Sequence, residues 1–283
     1  MNVINTNSSA LRATNAATQA NKMLGTAMER LSSGKRINSA KDDAAGLAIA
    51  SSMTSQIRGM NQGIRNANDG ISMAQTAEGA LDEVSNMMQR VRELAVQATS
   101  GTYSEQDRTN IQAEVTQLKD QMTAVLGNTE FNGSKLFDGT AGATGTVTIQ
   151  AGANVEDTID LEFSDLEGNA AITAVIGTGG TGGIDLTGAA TPANTVIQTI
   201  DDGIELINTT RATLGASQNR LESAVRNLAN NAINLSDARS RIEDTDYSSE
   251  TTALAKAQIL GQASTAMLAQ ANQSQQNVLS LLR

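Results

Sequence analysis

SSETTALAKAQILGQASTAMLAQANQSQQNVLSLLR, Ser248–Arg283, is the stretch whose reading decides the fold. Taken as a helix, it lines up Ala253, Ala257, Leu260, Ser264, Met267, Ala271, Ser274, Val278 and Leu281 at alternating spacings of four and three. That is the heptad seam of a helix lying lengthwise along another. Most seam residues are small, so a partner approaches closely while each contact buries little area. Beyond Glu250 the only charges are Lys256 and Arg283, and amides and hydroxyls supply the polar face. A helix of this kind is marginal alone and orders when neighbours pack on it.

The opposite end carries a matching strip: Val3, Ala10, Ala13, Ala17, Ala20, Leu24, Ala27 and Leu31. Two small-residue seams at opposite termini predict that the ends pair and that the rest of the chain is looped out between them. Both strips almost lack bulky anchors, which makes them poor material for an independent core. They read as assembly elements.

Composition narrows the chemistry. The 283 residues include three Phe, two Tyr, one Pro, and no Trp, His or Cys. Core energy must then come from Leu, Ile, Val, Met and Ala, which suits helix bundles better than sandwiches or doubly wound sheets. Absence of Cys removes disulfides, zinc–thiolate sites and thiol catalysis. Absence of His removes triad catalysis, zincin motifs and imidazole proton shuttles, so the chain does not read as an enzyme and no cofactor is expected.

The net charge of −10 is uneven: between Lys135 and Arg211 there are eleven acids and no Lys or Arg. That acidic middle reads as a solvated outer face. Nucleic-acid binding is disfavoured, because no basic patch carries interleaved aromatics. No apolar run near Met1 has the form of a cleaved signal peptide, and no 18-residue apolar stretch would span a membrane.

After the first seam comes ERLSSGKRINSAKDDAAGLAIA, Glu29–Ala50. Gly34 should cap the first helix, and Ser39 followed by Asp42 is a capping-box pattern that starts another. From Ile57 the positions Met60, Ile64, Ala67, Ile71, Ala74, Glu78, Leu81, Ser85 and Met88 hold the seam spacing. The apolar face then drifts to Val91 and Leu94, giving a helix about 60 Å long. Gly101 ends it. Ser104 and Asp107 form a second capping box, opening a helix with Ile111, Val115, Leu118, Met122 and Val125 on one face. Gly127, Asn128, Asn132 and Gly133 break that helix. Val147, Ile149, Ile159, Leu161 and Phe163 then alternate at strand period.

Thr191-Pro192 is an N-cap and first-turn pair for a second long helix. That helix carries Ile200, Ile204, Ile207, Leu214, Leu221, Val225, Leu228, Ala232, Leu235 and Ile242. Asp244 to Ser249 is a polar break before the terminal seam. Gly177-Thr-Gly-Gly-Thr-Gly182 matches a dinucleotide-binding pattern, with Asp201 near the distance of a ribose-binding acid. The residues that follow do not open a helix, so no helix N-terminus holds a pyrophosphate and the stretch reads as a loop. Glu156, Asp157 and Asp160 lack EF-hand spacing, and no metal site is expected.

The fold class predicted is mainly α: long antiparallel coiled-coil helices with paired N- and C-terminal helices, plus a small β-rich insert. The domains are 1–44 with 243–283 as a terminal-helix core, 45–139 with 191–242 as a middle helical bundle, and 140–190 as a Gly-rich β insert.

The segment Glu29–Ala50, the start Met1–Leu11 and the close Asn277–Arg283 closely resemble bacterial flagellins. The resemblance covers roughly residues 1–140 and 195–283. It implies a subunit that polymerises into the flagellar filament, a helical propeller, through head-to-tail contacts that propagate without closing. By resemblance the polymerisation seams are Ala13, Ala17, Ala20, Leu24, Leu31, Ala257, Leu260, Met267, Val278 and Leu281. A type III flagellar export route is implied, with an export chaperone and hook-associated or cap proteins as partners, and an extracellular location. The insert of about fifty residues implies minimal or absent outer domains, with O-glycosylation of its Ser or Thr as an unassigned feature.

Resemblance also implies reading by hosts. Gln89–Gln97 with the helix around Ile111 is the surface seen by the vertebrate toll-like receptor for flagellin, with Arg90, Leu94, Ile111 and Glu114 in matching places. From the residues alone, Arg90 and Glu93 form a solvated face with an i,i+3 ion pair. Arg36–Ala50 resembles the epitope of plant pattern receptors, through Arg36, Asp42, Asp43 and Gly46. Val278, Leu279, Leu281 and Leu282 match the segment bound by the chaperone and by a cytosolic inflammasome sensor. A hook–filament junction protein shares the terminal helices and is the alternative. The matches in Arg36–Ala50 and Gln89–Gln97 argue against it, and a metalloprotease-type flagellin needs a His pair this chain lacks.

Overall fold

Two short polar breaks punctuate the chain ends, and the reasons lie in single residues. Gly34, left-handed at φ 71°, stops helix α1 (Ser8–Ser33) and donates its N–H to the Arg30 carbonyl. Asn7 opens that helix by accepting from the Ala10 N–H. Helix α2 spans Ala44–Thr99, earlier than the start at Ile57 that the seam alone suggests. Asp43 holds its first turn, accepting from the Gly46 N–H at 2.8 Å, while Ser39 and Asp42 close a separate turn just before it. Ser104 and Asp107 form the expected capping box of α3 (Glu105–Asn128).

The computed structural model describes residues 6–142, 144–177, 182–187 and 193–280. Beyond α3 lie β1 (Glu130–Phe131) and β2 (Ser134–Lys135), paired antiparallel around Asn132-Gly133. Both turn residues have positive φ, 52° and 79°, as a tight primed hairpin turn requires. β3 (Thr146–Gln150) pairs antiparallel with β4 (Thr158–Glu162), with Val147 opposite Leu161. The stretch before the glycine-rich pattern, Ala170–Ile176, forms the short helix α4, capped by Asn169. Among its described residues the β insert is thus one hairpin and one helix. Residues 178–181 of the dinucleotide-like pattern and the Thr191-Pro192 pair lie outside the described residues. Helix α5 (Ala193–Glu243) and helix α6 (Tyr247–Ser280) complete the order.

The chain divides into two compact units. Unit 2, residues 56–232, holds the large core: Leu81, Met88, Met122, Leu126, Phe137 and Phe163 are all fully or almost fully buried. Helices α2 and α5 run antiparallel there, tied by Arg92–Asp201 at 2.6 Å, Asp82–Arg211 at 2.9 Å and Gln218–Glu78 at 3.0 Å. Unit 1, residues 1–55 and 233–283, contains the α1/α6 pair.

Candidate assembly surface

Helices α1 and α6 pack antiparallel: Asn7 Nδ2 donates to the Ala271 carbonyl at 3.0 Å, and Arg30 faces Glu250 at 3.8 Å. Between these ends Ala13, Ala20, Ala27, Ala257 and Ser264 are buried. Ala17, Leu24 and Leu31 are half-buried beside them. The α6 side of the contact runs through Leu254, Ala257, Gly261, Ser264, Leu268 and Ala271, all at least partly buried. Leu260 and Met267, expected on that line, are 41% and 63% exposed on its flank. Both lines share the small residues Ala257, Ser264 and Ala271. Gly261, which has no side chain to intrude, joins them on the side facing α1. The side chains of Val278 and Leu279, and residues Leu281 and Leu282 altogether, lie outside the described structure.

The two flanks of the pair differ. One holds an open groove of about 420 Å³ whose polar lining includes Asn21, Gln258, Gln262 and Thr265. The other carries Met23, Leu260 and Met267, all exposed. Unit 1 leaves further large apolar side chains in water: Leu11, Met28, Ile49, Ile233, Tyr247 and Ile259.

The connector between α1 and α2 is zipped to the connector between α5 and α6. Arg36 N–H donates to the Glu243 carbonyl at 2.7 Å, Thr245 N–H to the Gly34 carbonyl at 3.0 Å, and Lys35 Nζ sits 2.5 Å from Glu243. The Arg36 guanidinium donates to the Ile242 carbonyl at 2.6 Å, satisfying a carbonyl at the α5 C-terminus. Asp42 accepts from the Ser39 hydroxyl and N–H, and these bonds hold its carboxyl below the usual carboxylate range. Gly46 is there for space: a Cβ would lie 2.7 Å from Cδ1 of the buried Ile37.

In unit 2, Arg90 donates to Glu114 Oε1 from Nε and Nη2, at 3.0 and 2.9 Å, and to Glu93 at 3.0 Å. The Glu114 hydrogen bond, then that of Glu93, raises the guanidinium's pKa. Leu94 and Ile111 do not share this exposed face. At 2% and 8% exposure they are core residues beneath it, because the same positions that match a surface pattern also fall on the buried stripes of α2 and α3.

Two features escaped the sequence reading. Gly59, Gly63 and Gly70 lie on α2 where the β3–β4 hairpin docks, and a Cβ on Gly63 would meet the Ala151 backbone carbonyl carbon at 2.9 Å. Their spacing of four and seven on one helix face was the available signal. Lys119 is the other: only 4% exposed, it donates to the Gly182 carbonyl, and burial lowers its pKa. Next to it, Gln112 clamps the backbone of Ile184 and Leu186 onto α3.

Among the described residues no group of His, Cys, Asp and Glu is placed to hold a metal, and no helix is long and apolar enough to cross a membrane. Unit 2 holds a finished helical core, and unit 1 a pair of terminal helices with exposed apolar side chains, the features expected of a helical structural protein. Residues 4–142 match the family model described as the bacterial flagellin N-terminal helical region, and 197–282 match the bacterial flagellin C-terminal helical region. The flagellin of Halalkalibacterium halodurans is 47% identical over 91% of this chain and 91% of its own length. The flagellar filament 31.3 kDa core protein of Treponema maltophilum is 44% identical over 99% and 100%, and Bacillus subtilis flagellin 42% over 99% of both. The chain belongs to the bacterial flagellin family, and it is a structural protein, not an enzyme. Among solved structures, Bacillus cereus flagellin aligns at TM-score 0.50 and 34% identity, covering 58% of this chain and 88% of that one. A putative flagellar hook-associated protein from Vibrio parahaemolyticus aligns at TM-score 0.58, covering 72% and 100%, and at 15% identity it speaks for the fold alone.

Proposed function

We propose that the chain is the repeating subunit of a bacterial flagellar filament and that unit 1 is where copies join. One observation carries this: among the described residues, nine of the eleven exposed large apolar side chains belong to unit 1, whose buried seam is built mostly of alanine. Apolar area of that kind gains stability only when another surface covers it. Residues 1–44 with 243–283 then form the inner layer of the filament, residues 45–139 with 191–242 the layer outside it, and 140–190 the exposed insert. Seeded elongation of the purified monomer, followed by electron microscopy, tests the reading. Long filaments that fail to form when Leu260 and Met267 are both changed to Ser support it. Elongation that continues with both substitutions contradicts the role of this flank.

The finer reading follows from the family. The monomer leaves the cell through the flagellar export apparatus, its terminal segment around Val278 and Leu279 held by a chaperone until a cap protein seats it. Host receptors meet the Arg90–Glu114 pair as a preformed face supported from below by Leu94 and Ile111, and plant receptors meet the stretch Arg36–Ala50. Arg90→Ala, which leaves the core intact, is the clean test of the first: an undiminished receptor response argues against it.

A further inference from the structure

The described methionines fall into three groups by exposure. Met73, Met88 and Met122 in unit 2 are at most 6% exposed, Met53, Met60 and Met87 are half-buried, and Met23, Met28 and Met267 are 46%, 58% and 63% exposed. The three exposed thioethers all sit on the α1/α6 pair, and they do not sit alike. With Asn7 opposite Ala271 and Arg30 opposite Glu250, Met23 falls level with the Ala257 region. Helical spacing then puts Met267, Leu260 and Met23 along one flank over about 16 Å. Met28, seven residues on from Asn21, falls by helical spacing on the other flank, where Asn21 lines the polar groove.

We infer that Met23 and Met267 make the apolar flank of the α1/α6 pair an oxidation site, and that their sulfoxides disable that flank for subunit assembly. The inference rests on the assembly reading above. The chemistry needs only a peroxide. A sulfur lone pair attacks one peroxide oxygen, the O–O bond breaks, an S–O bond forms, and the departing hydroxide takes a proton to leave as water. The thioether loses two electrons and the peroxide gains them. The product is a polar, chiral side chain where a flexible apolar one stood. Seams of alanine and serine bury little area per contact, so they hold little reserve against two such dipoles. Oxidation of Met28, on the flank of the polar groove and away from the Met23–Leu260–Met267 line, should slow assembly far less. Methionine sulfoxide reductases reverse the change, which makes it a switch rather than damage alone.

The test treats the purified full-length monomer with dilute hydrogen peroxide, maps sulfoxides by peptide mass spectrometry, and measures seeded elongation. Met23, Met28 and Met267 should oxidise at least ~10-fold faster than Met73, Met88 and Met122. Treated wild-type protein should lose most of its elongation and recover it after reductase treatment. Met28→Leu should behave as wild type, while Met23→Leu with Met267→Leu should elongate equally before and after peroxide. Equal oxidation of buried and exposed methionines, treated wild type that elongates undiminished, or a double variant as sensitive as wild type each overturns the inference. Untreated wild type that never elongates overturns the assembly reading itself.

Discussion

Unit 2 and unit 1 are built from the same kind of helix but spend their side chains differently. In unit 2 the stripes of α2, α3 and α5 bury Leu81, Met88, Val115, Met122, Ile200, Ile207 and Leu214, and ion pairs bridge α2 to its neighbours. In unit 1 only six hydrophobic residues are buried among those described, and five of them are alanine. Large apolar side chains there face water. The contrast fits the proposed division of labour, in which unit 2 folds by satisfying itself and unit 1 is completed by other copies.

The largest effect expected from breaking this contrast is in the unit 2 core. Leu81→Ala leaves a cavity in the unit 2 core and should cost about 2–5 kcal/mol in urea unfolding of the monomer. Next come the glycines of α2, which sharpen the comparison within one helix. Gly63→Ala drives a methyl into the Ala151 backbone and should destabilise by about 1–3 kcal/mol. Gly79→Ala meets nothing within 4 Å and should stabilise by about 0.5–1 kcal/mol, because only helix propensity changes. Smaller still is Met267→Ser, which should leave monomer stability within about 0.5 kcal/mol while slowing seeded elongation.

The smallest effect is electrostatic. Asp42, Asp107, Asp138 and Asp201 are all held below the ordinary carboxylate range, by Ser39, Ser104, Thr140 and Arg92 respectively. Their folded pKa values lie under the unfolded value of about 3.9, so their contribution is complete above that pH and is lost as pH falls through the folded values. Monomer melting temperature should therefore hold steady down to about pH 5 and drop below about pH 4. Asp201→Asn should flatten part of that drop in unit 2, and a melting curve that falls with the same slope argues against the Arg92 pairing.

Much of this was legible from spacing. Gly34, the Ser104–Asp107 capping box and the strand alternation around Val147 and Leu161 follow from local chemistry, and the structure has them where that chemistry puts them. The pairing of α1 with α6 followed from complementary small-residue seams. What spacing did not settle was which side of a seam faces inward. On α6 the small residues Ala257, Ser264 and Ala271 fit two adjacent lines, one through Leu260 and Met267 and one through Gly261 and Leu268, and only packing chooses. Spacing did put Leu94 and Ile111 on the apolar faces of α2 and α3, and the structure buries both, although the family pattern groups them with the exposed Arg90 and Glu114. Lys119 escaped because a lysine on an apolar stripe reads as solvated until a carbonyl is found for its ammonium. The hairpin's docking on Gly59, Gly63 and Gly70 is a long-range contact, and local propensity carries no trace of what lands on a helix.

Hydrogen exchange at individual amides, compared between monomer and filament, tests the division of labour most directly. The expected result is fast exchange across α1 and α6 in the monomer and strong protection in the filament, with the α2 segment from Met73 to Ala98 protected equally in both. Terminal helices already as protected as that segment in the monomer, and unchanged on assembly, would contradict the claim that unit 1 is completed by its neighbours.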